Sequence, residues 1–416
     1  MNLKSLKISN WKQFHDIDIE FHDRLTVLTG SNASGKTTLL NLLGRHFGWE
    51  FPELLTPVKE PESGKTKFAR PLFPPFYENL TDGTIGEITY ADGSKTRIAF
   101  PDFKAVGPFK GPAAYRLTLS NQASLKGVYI PSDRPEFLYR PIEQIPTKGK
   151  NRHEAFRLVS DSHRRRLLET ISSKRYIPCY HIKETLISWG IFGFGSEVIV
   201  SDREYKDMYA GFEDILRKIL PEETGFEKFS IREAELVLVT RSGEFMIDAV
   251  SGGMGALIDL AWRIYTFSEN SSEPFIVLID EVETHLHANM QRKILPDFLE
   301  AFPNAQFIVS THSPLIVSSV RDSSVYALKF NEESRIESIK LDITAKAKDA
   351  VDILKGVLGV SFTMPVWVEE KLNEINEKYS KLEINEDTFA SLREELTEIG
   401  LEDLVPYSID KILSSK

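Results

Sequence analysis

The sequence has almost no cysteine, since Cys179 is the single thiol in 416 residues. No intramolecular disulfide can therefore form, and a reducing compartment is expected. Long apolar runs are missing too, because none approaches the roughly 20 residues that a membrane helix needs. The first residues alternate apolar and polar side chains and lack the apolar core of a signal peptide. These absences predict a soluble cytoplasmic protein with no membrane partner.

Positive charge is also in deficit. The 51 Lys and Arg residues face 61 Asp and Glu residues, which gives a formal charge of -10. This balance argues against a surface built throughout for nucleic acid but leaves room for a local basic patch. The chain is 41% apolar and 27% charged, which is typical of a globular protein, and its length suits two or three domains.

Residues 30–37 fit the phosphate-binding loop pattern G-x-x-x-x-G-K-[ST]. The context fits as well, because residues 25–29 are typical of a short buried strand and residues 36–47 of a helix. In such a loop the backbone N–H groups point at phosphate oxygens, Lys36 reaches the β- and γ-phosphates, and Thr37 holds Mg²⁺. A chance turn before a helix is the alternative. The predicted nucleotide contacts are Gly30, Ser31, Asn32, Ala33, Ser34, Gly35, Lys36, Thr37 and Thr38.

The periodicity of the chain predicts an α/β fold, a mixed sheet with flanking helices. Strands are expected at residues 3–8, 17–21, 25–29, 85–90, 95–100, 117–119, 128–130, 229–231, 235–240, 244–247, 275–279, 306–310, 324–329 and 335–340. Residues 11–14 are predicted to form a turn, and residues 50–80 an irregular connection. Helices are expected at residues 36–47, 152–173, 206–220, 256–267 and 288–302, with further helices after residue 345.

Three further motifs stand at strand ends or at a helix start. The apolar residues 275–279 end in Asp280, which would hold the Mg²⁺ shell through water, and Glu281, which would orient and polarise the attacking water. Ser251-Gly252-Gly253 opens a helix, where a hydroxyl and bare N–H groups form a second anion cradle. His312 follows another apolar strand, within reach of the γ-phosphate or the attacking water. Singly, these motifs are equally typical of a solvated strand end, a common turn and a structural histidine.

The order of these motifs resembles the Walker A, signature, Walker B and switch-histidine order of ATP-binding-cassette ATPases. Residues 280–287 and 310–315 further resemble the SMC-like ATPases of the overcoming-lysogenization-defect (OLD) group and their relatives in bacterial antiphage systems. The resemblance covers about residues 1–50 and 245–320 well. It implies a homodimer or higher homo-oligomer that binds ATP and Mg²⁺ between two chains, with slow hydrolysis. Lys36, Asp280, Glu281 and His312 of one chain would face Ser251, Gly252 and Gly253 of the other.

This resemblance divides the chain into four segments. They are an N-terminal part of the ATPase head (1–135), an inserted basic helical arm (136–225), a C-terminal part of the head (226–342) and an acidic helical tail (343–416). Full-length OLD-type nucleases carry a C-terminal metal-binding TOPRIM domain, and only about 75 mostly helical residues follow the last predicted strand. The chain therefore resembles a standalone ATPase subunit of systems such as PARIS or Septu. There a separate nuclease or toxin protein, expected to be encoded nearby, is the effector.

Three points depart from the family pattern or stay open. The glutamine loop is not obvious: Gln122 is a candidate, and a plain surface glutamine is the alternative. Val282 and Ala288 replace prolines of the family, at positions that supply no functional group. A transition-metal site at Glu281, Glu283, His285 and His287 is an alternative interpretation of that segment.

A second function is compatible with the sequence, a DNA-repair or chromosome-associated ATPase that binds DNA phosphates through the basic arm. The arm's cations are Lys148, Lys150, Arg152, Arg157, Arg164, Arg165, Arg166, Lys174 and Arg175. A solvated helix face is the structural alternative. A transporter ATPase is disfavoured because nothing suggests coupling to a membrane partner, and a GTPase because no Asn-Lys-x-Asp motif is present.

Overall fold

The structure of the chain is a computed structural model. It describes residues 1–59, 66–69, 83–100, 114–144, 146, 148–168, 178–268, 273–341, 366–381, 386–398 and 401–414. The chain divides into two compact units, Met1–Ile353 and Leu354–Lys416. The first unit carries every motif singled out above.

An eleven-stranded mixed sheet forms the centre of the first unit. In spatial order its strands are β10 (Thr118–Ser120), β8 (Lys95–Ala99), β7 (Thr84–Tyr90), β1 (Leu3–Trp11), β2 (Phe14–Glu20), β18 (Ile336–Leu341), β17 (Ser324–Phe330), β3 (Leu25–Gly30), β16 (Ala305–Thr311), β15 (Phe275–Ile279) and β11 (Gly127–Ile130). Three smaller sheets pair β4 (Glu53–Leu54) with β9 (Ala114–Tyr115), β5 (Thr56–Lys59) with β6 (Thr66–Ala69), and β12 (Phe226–Arg232) with β13 (Glu235–Thr240) and β14 (Gly243–Met246).

Strand direction divides the central sheet into two parts. Strands β17, β3, β16, β15 and β11 are parallel, whereas β10, β8, β7, β1 and β2 form an antiparallel series. Parallel strands covered on both faces are apolar throughout, and every residue of β3, β15 and β16 is buried. Because these three strands are parallel and adjacent, their carboxyl ends lie at one edge of the sheet.

The prediction of a turn at residues 11–14 was too wide. Trp11 and Phe14 are paired strand residues with at most 1% exposure, so the turn itself contains Lys12 and Gln13. Both aromatic rings are buried in the core, 5.8 Å apart between centroids. Burying such large side chains stabilises the ends of β1 and β2. The connection between the two strands is therefore only two residues long.

Helices flank the sheet. In the first unit they are α1 (Lys36–Gly44), α2 (Arg152–Leu168), α3 (Pro178–Phe194), α4 (Arg203–Ile219), α5 (Gly252–Phe267), α6 (Ala288–Ala301) and α7 (Pro314–Val317). Short 3-10 turns cover Arg45–Phe47 and Ile247–Ala249. The mixed sheet with flanking helices that the sequence predicted is confirmed. In the part of the chain that the structure describes, no helix is long and apolar enough to cross a membrane.

Helix α3 was missed in the sequence. It is apolar around most of its circumference, with two internal glycines, so it shows no amphipathic stripe. Its Trp189 ring lies 5.2 Å from the ring of Trp262 on α5, and Phe212 of α4 lies 4.9 Å from the same ring. These aromatic contacts attach the helices of the middle segment to α5.

The second unit consists of helices. They are α8 (Val366–Ser380), α9 (Glu386–Glu398) and α10 (Val405–Ser414), with a 3-10 turn at Glu402–Leu404. The buried side chains of Leu372, Ile375, Leu392, Leu396 and Ile412 form their common core. The helical character predicted for the tail holds for these segments, and residues 342–365 lie outside the described residues.

Candidate functional site

The phosphate-binding loop connects β3 to α1 with two backbone positions that require glycine. Gly30 has φ +148°, and a Cβ atom there would lie 2.5 Å from the Leu328 carbonyl oxygen. Gly35 has φ +85°, and a Cβ atom there would collide with the Phe14 ring. The left-handed region and the close approach of neighbours both exclude larger residues. Neighbouring strands therefore fix the path of the loop.

Lys36 is the first residue of α1 and is buried, with only 5% of the residue exposed. Its Nζ donates to the carbonyl oxygens of Gly30 at 3.0 Å and Ser31 at 3.1 Å, and lies 3.5 Å from His312 Nδ1. Burial lowers the pKa of Lys36 to about 8, and the nearby charges of Asp280 and Glu281 oppose that shift. The structure thus places the predicted lysine and the predicted histidine side by side.

Thr37 and Asp280 meet directly. The Thr37 hydroxyl donates to both Asp280 carboxylate oxygens, at 2.9 and 3.1 Å. Asp280 is fully buried and follows β15, whereas Thr37 lies on the exposed side of α1. A hydroxyl oxygen and a carboxylate oxygen at this distance are the protein donors that Mg²⁺ uses beside nucleotide phosphates.

Ser310 is a site residue to which the sequence analysis gave no role. Its hydroxyl donates to Asp280 Oδ1 at 2.5 Å and accepts from the Glu281 backbone N–H at 2.8 Å. It lies near the end of β16, next to β15 in parallel register. The signal was a hydroxyl residue two positions before His312, but only the strand order shows that it touches the acid pair.

Glu283 makes another contact at this edge of the sheet that the sequence did not predict. Its Oε1 accepts a hydrogen bond of 2.5 Å from the His312 backbone N–H. The residue after β16 is thereby attached to the turn that follows β15. Because the acceptor is a carboxylate, this bond is stronger than a neutral one, and it orients the segment that carries the histidine.

Ser251-Gly252-Gly253 lie at the start of α5, with Ser251 as the N-cap residue. The Ser251 hydroxyl accepts from the Met254 N–H at 3.4 Å, and both Ser251 and Gly252 are exposed. A Cβ atom at Gly252 would meet nothing within 4 Å, whereas at Gly253 it would lie 3.1 Å from the His285 carbonyl oxygen. These three residues are not part of the hydrogen-bonded cluster of Lys36, Thr37 and Asp280.

Gln122 does not reach this site. It is exposed and precedes β11, which runs parallel to β15 with Ile130 beside Ile279. Asp280 follows the carboxyl end of β15, so Gln122 lies toward the opposite edge of the sheet. The sequence interpretation placed Gln122 correctly before a strand but had no information on the strand's direction.

The segment with two histidines offers no metal cage among the described residues, since no group of three His, Cys, Asp or Glu side chains comes together there or elsewhere. His285 and His287 are exposed, and His285 Nε2 lies 3.2 Å from the Arg134 carbonyl oxygen. His285 also has a left-handed backbone, with φ +67°. The turn through residues 281–285 therefore does not follow the extended path that the metal interpretation needed.

Most cations of the basic zone that the structure describes interact with the protein itself. Lys150 pairs with Glu184 at 2.5 Å and Arg164 with Asp161 at 3.1 Å. Arg165 donates to the Asp161 carbonyl oxygen at 3.3 Å, and Arg166 pairs with Asp133. Lys174 and Arg175 lie outside the described residues.

Comparison with known proteins identifies the family. Residues 25–318 match the family described as "AAA domain, putative AbiEii toxin, Type IV TA system", and residues 3–43 match the "P-loop containing region of AAA domain". The chain belongs to this AAA family. The first match spans the phosphate-binding loop, Ser251, the acid pair and His312, so all four motifs lie within the AAA-family domain.

Relatives of this AAA-family chain include two named proteins. The "Retron Ec83 probable ATPase" of Escherichia coli is 30% identical over 41% of this chain and 30% of its own length. The "Septu protein PtuA" of Bacillus mycoides is 26% identical over 53% of this chain and 29% of its own length. The matched regions thus cover less than a third of either relative. The SMC head domain from Thermotoga maritima is 15% identical with a TM-score of 0.45, over 82% of this chain and all of that one.

Proposed function

We propose that this protein is a slow ATPase that dimerises around ATP and controls a partner effector, a nuclease or toxin, in antiphage defence. The observation that carries the proposal is the convergence of Lys36, Thr37 and Asp280 at one sheet edge, with His312 beside them. These groups come from three separate strand ends. Their contacts at 2.9–3.5 Å make one site from residues far apart in the sequence.

The residues present fit ATP with Mg²⁺. Thr37 and Asp280 already share a hydrogen bond of 2.9 Å, so their oxygens are close enough to serve one small cation or its water shell. Lys36 binds loop carbonyls whose place a phosphate oxygen takes when nucleotide binds. Thr37 and Asp280 would hold Mg²⁺, which would supply positive charge against the charge that develops during phosphoryl transfer.

The roles of the remaining side chains follow from where they stand. Glu281 comes directly after Asp280, so its carboxylate orients and polarises the attacking water. His312, next to Lys36 Nζ, contacts the γ-phosphate and stabilises its charge. The N–H groups around Thr37 and Thr38 at the start of α1 hold the phosphates with the helix dipole.

The dimer is inferred from the position of Ser251-Gly252-Gly253. They present a capped helix N-terminus to solvent, and each chain carries one copy of each motif. A second chain arranged head to tail completes the site, because its Ser251 loop covers the γ-phosphate held by Lys36. Contacts made only in the closed dimer then drive closure, and hydrolysis releases it.

Control of an effector is inferred from the relatives. A retron ATPase and a Septu protein are similar to 41% and 53% of this chain, respectively. Their names support a role in a system of that kind. The proposed partner protein is encoded nearby, and both act in the cytoplasm.

The central experiment is Glu281→Gln. We expect ATP hydrolysis to fall by about 100-fold or more, since the water loses its base, while ATP binding and ATP-dependent association stay intact. The matched control is Glu273→Gln, at the opposite end of β15, where the carboxylate is exposed and paired with Lys126. If Glu281→Gln hydrolyses ATP at the rate of the control, Glu281 is not the catalytic base.

The second candidate function is a DNA-binding ATPase, favoured by the concentration of arginines on α2. Replacing Arg164, Arg165 and Arg166 by glutamine separates the two functions. A DNA binder should bind more weakly and have a shallower salt dependence, by about one unit of slope for each phosphate that an arginine no longer neutralises. An effector-controlling ATPase should keep its DNA behaviour and its hydrolysis. The hydrogen bonds and ion pairs of these arginines with Asp161 and Asp133 favour the second result.

A further inference from the structure

The backbone at Glu281 has an uncommon conformation, with φ +47°. A non-glycine residue in the left-handed region costs about 1–2 kcal/mol, and such strain persists where the surroundings hold it in place. Two neighbours hold Glu281 itself. Ser310 accepts from its N–H at 2.8 Å, and the Thr284 N–H and hydroxyl donate to its carbonyl oxygen at 3.0 and 2.8 Å.

Arg134 holds the residues on either side of Glu281. One terminal nitrogen donates to the Asp280 carbonyl oxygen at 2.7 Å, and the other to the Val282 carbonyl oxygen at 3.4 Å. A single guanidinium therefore spans the turn from the residue before Glu281 to the residue after it. The planar, rigid fork of arginine suits two fixed acceptors, which a lysine ammonium does not match.

Arg134 is only 5% exposed, so its charge needs a counter-charge. Burial lowers its pKa to about 10, and the largest opposing influence is the charge of Asp259. Asp259 lies on α5, where it accepts a hydrogen bond from Arg263 Nε at 2.9 Å. With a pKa of about 10, Arg134 stays charged at neutral pH.

We propose that Arg134 is a positioning residue for hydrolysis: it fixes the two carbonyls that flank Glu281 and so sets the direction of the Glu281 carboxylate. The inference rests on the proposed function, since it assumes that Glu281 activates water.

The test is Arg134→Lys, which keeps the charge and loses the fork. We expect kcat to fall by about 10- to 100-fold, since a small displacement of a catalytic group has effects of this size. The Kd for a fluorescent ATP analogue and ATP-dependent association should change less than about twofold. The matched control is Arg24→Lys, whose guanidinium donates at 2.7 Å to the carbonyls of Leu299 and Ala305 at the opposite sheet edge. It should leave kcat unchanged.

A double variant separates positioning from general damage. Arg134→Lys combined with Glu281→Gln should be no slower than Glu281→Gln alone, because a misdirected side chain matters only while the carboxylate is present. Two results would overturn the inference. One is a further fall in kcat in the double variant, and the other is a fall in kcat for Arg134→Lys no larger than that for Arg24→Lys. If Arg134→Lys does not fold, Arg134→Met replaces it, since it keeps most of the side-chain length without the donors, and the expected fall in kcat is again about 10- to 100-fold. Unchanged kcat in Arg134→Met would then overturn the inference.

The two proposals fail in distinguishable ways. If Glu281→Gln hydrolyses ATP like the wild type, the proposed catalytic role fails and the positioning role with it. If Glu281→Gln is inactive while Arg134→Lys retains wild-type kcat, the positioning role alone is wrong.

Discussion

The two halves of the proposed ATP site are built in different ways. Lys36 and Asp280 are buried, and their hydrogen-bond partners are supplied by the same chain at 2.5–3.5 Å. Ser251 and Gly252 are exposed, and the Ser251 hydroxyl caps its own helix through a long bond of 3.4 Å. The first half has its partners once the chain folds, whereas the second half is open to solvent.

This difference follows from the location of each half in the fold. Lys36 follows β3 through the phosphate-binding loop, and Asp280 directly follows β15; every residue of both strands is buried. Ser251 caps the N-terminus of α5, and the aromatic contacts of Trp262 hold this helix in place. A Cβ atom at Gly253 would lie 3.1 Å from the His285 carbonyl oxygen, so this start of the helix is close to the turn after Glu281. The exposed half is therefore fixed in direction even though its hydroxyl and N–H groups are open.

The largest effects are expected from two substitutions, one in each half of the proposed site. Lys36→Ala should weaken ATP binding by about 100-fold, since it removes charge-assisted hydrogen bonds of roughly 3 kcal/mol. Ser251→Arg should leave ATP binding within about threefold but lower turnover about 100-fold, because the second half of the site is blocked. Equilibrium binding and steady-state phosphate release measure the two quantities.

Mixing these two inactive variants tests whether the halves belong to different chains. In a statistical mixture half of the dimers are heterodimers, and each has one intact site of two, so roughly a quarter of wild-type turnover should return. Ser196→Arg, at an exposed serine away from the site, is the control for the added arginine and should keep full activity on its own. A mixture that stays inactive would mean that both halves act within a single chain.

A smaller effect is expected at Ser310, which joins the acid pair inside the buried half. Ser310→Ala removes the donor to Asp280 and the acceptor of the Glu281 N–H. Leaving such buried groups unpaired costs about 1–3 kcal/mol. We expect a lower melting temperature and a roughly tenfold fall in kcat. Ser310→Thr, which keeps the hydroxyl, should retain most of both; equal losses in the two variants would show that the hydroxyl is not what matters.

Glu283 orients His312 through the histidine's backbone N–H, so its removal should have a moderate effect. Glu283→Gln replaces the charged acceptor of that 2.5 Å hydrogen bond with a neutral one. We expect a three- to tenfold fall in kcat, about 1 kcal/mol, with ATP affinity unchanged. If ATP affinity falls while kcat does not, Glu283 serves nucleotide binding instead.

The two halves also differ in how far the sequence could reveal them. The phosphate-binding loop, the acid pair and His312 stand in short local patterns, and the mixed sheet followed from the periodicity of β3, β15 and β16. Ser310 and Glu283 act through neighbours about 30 positions away, so their contacts exist only once strand order and register are known. The outward position of Ser251 likewise depends on which face of α5 packs, which local sequence does not state.

Strand direction explains the failure at Gln122. A residue before a parallel strand and a residue after it lie at opposite edges, and only the pairing of β11 with β15 tells which edge holds the acids. Helix α3 escaped for another reason, because its apolar residues surround the helix and produce no stripe. The first miss concerns tertiary arrangement, whereas the second concerns a helix whose apolar residues leave no periodic pattern in the sequence.

The smallest effects are expected at two ionisable groups whose pKa values are shifted by burial. One lies inside the buried half of the site and the other lies away from it. Burial lowers the pKa of Lys36 to about 8 and raises the pKa of Asp297, on α6, to about 6. Lys36→Met should stabilise the fold at neutral pH but weaken ATP binding about 100-fold, as Lys36→Ala does, because the buried ammonium group binds the phosphates. Asp297→Asn should also stabilise the fold, with ATP binding unchanged.

The stabilisation that Asp297→Asn produces should depend on pH. The pKa of Asp297 is higher in the folded chain than its ordinary value of 3.8, so the folded state binds more protons and stability falls as pH rises from about 4 to 6. Asp297→Asn should therefore raise the melting temperature at pH 7, by about 1–3 °C given its partial exposure, and give no gain at pH 4. Thermal unfolding at both pH values measures this; an equal gain at pH 4 would attribute the effect to packing rather than charge.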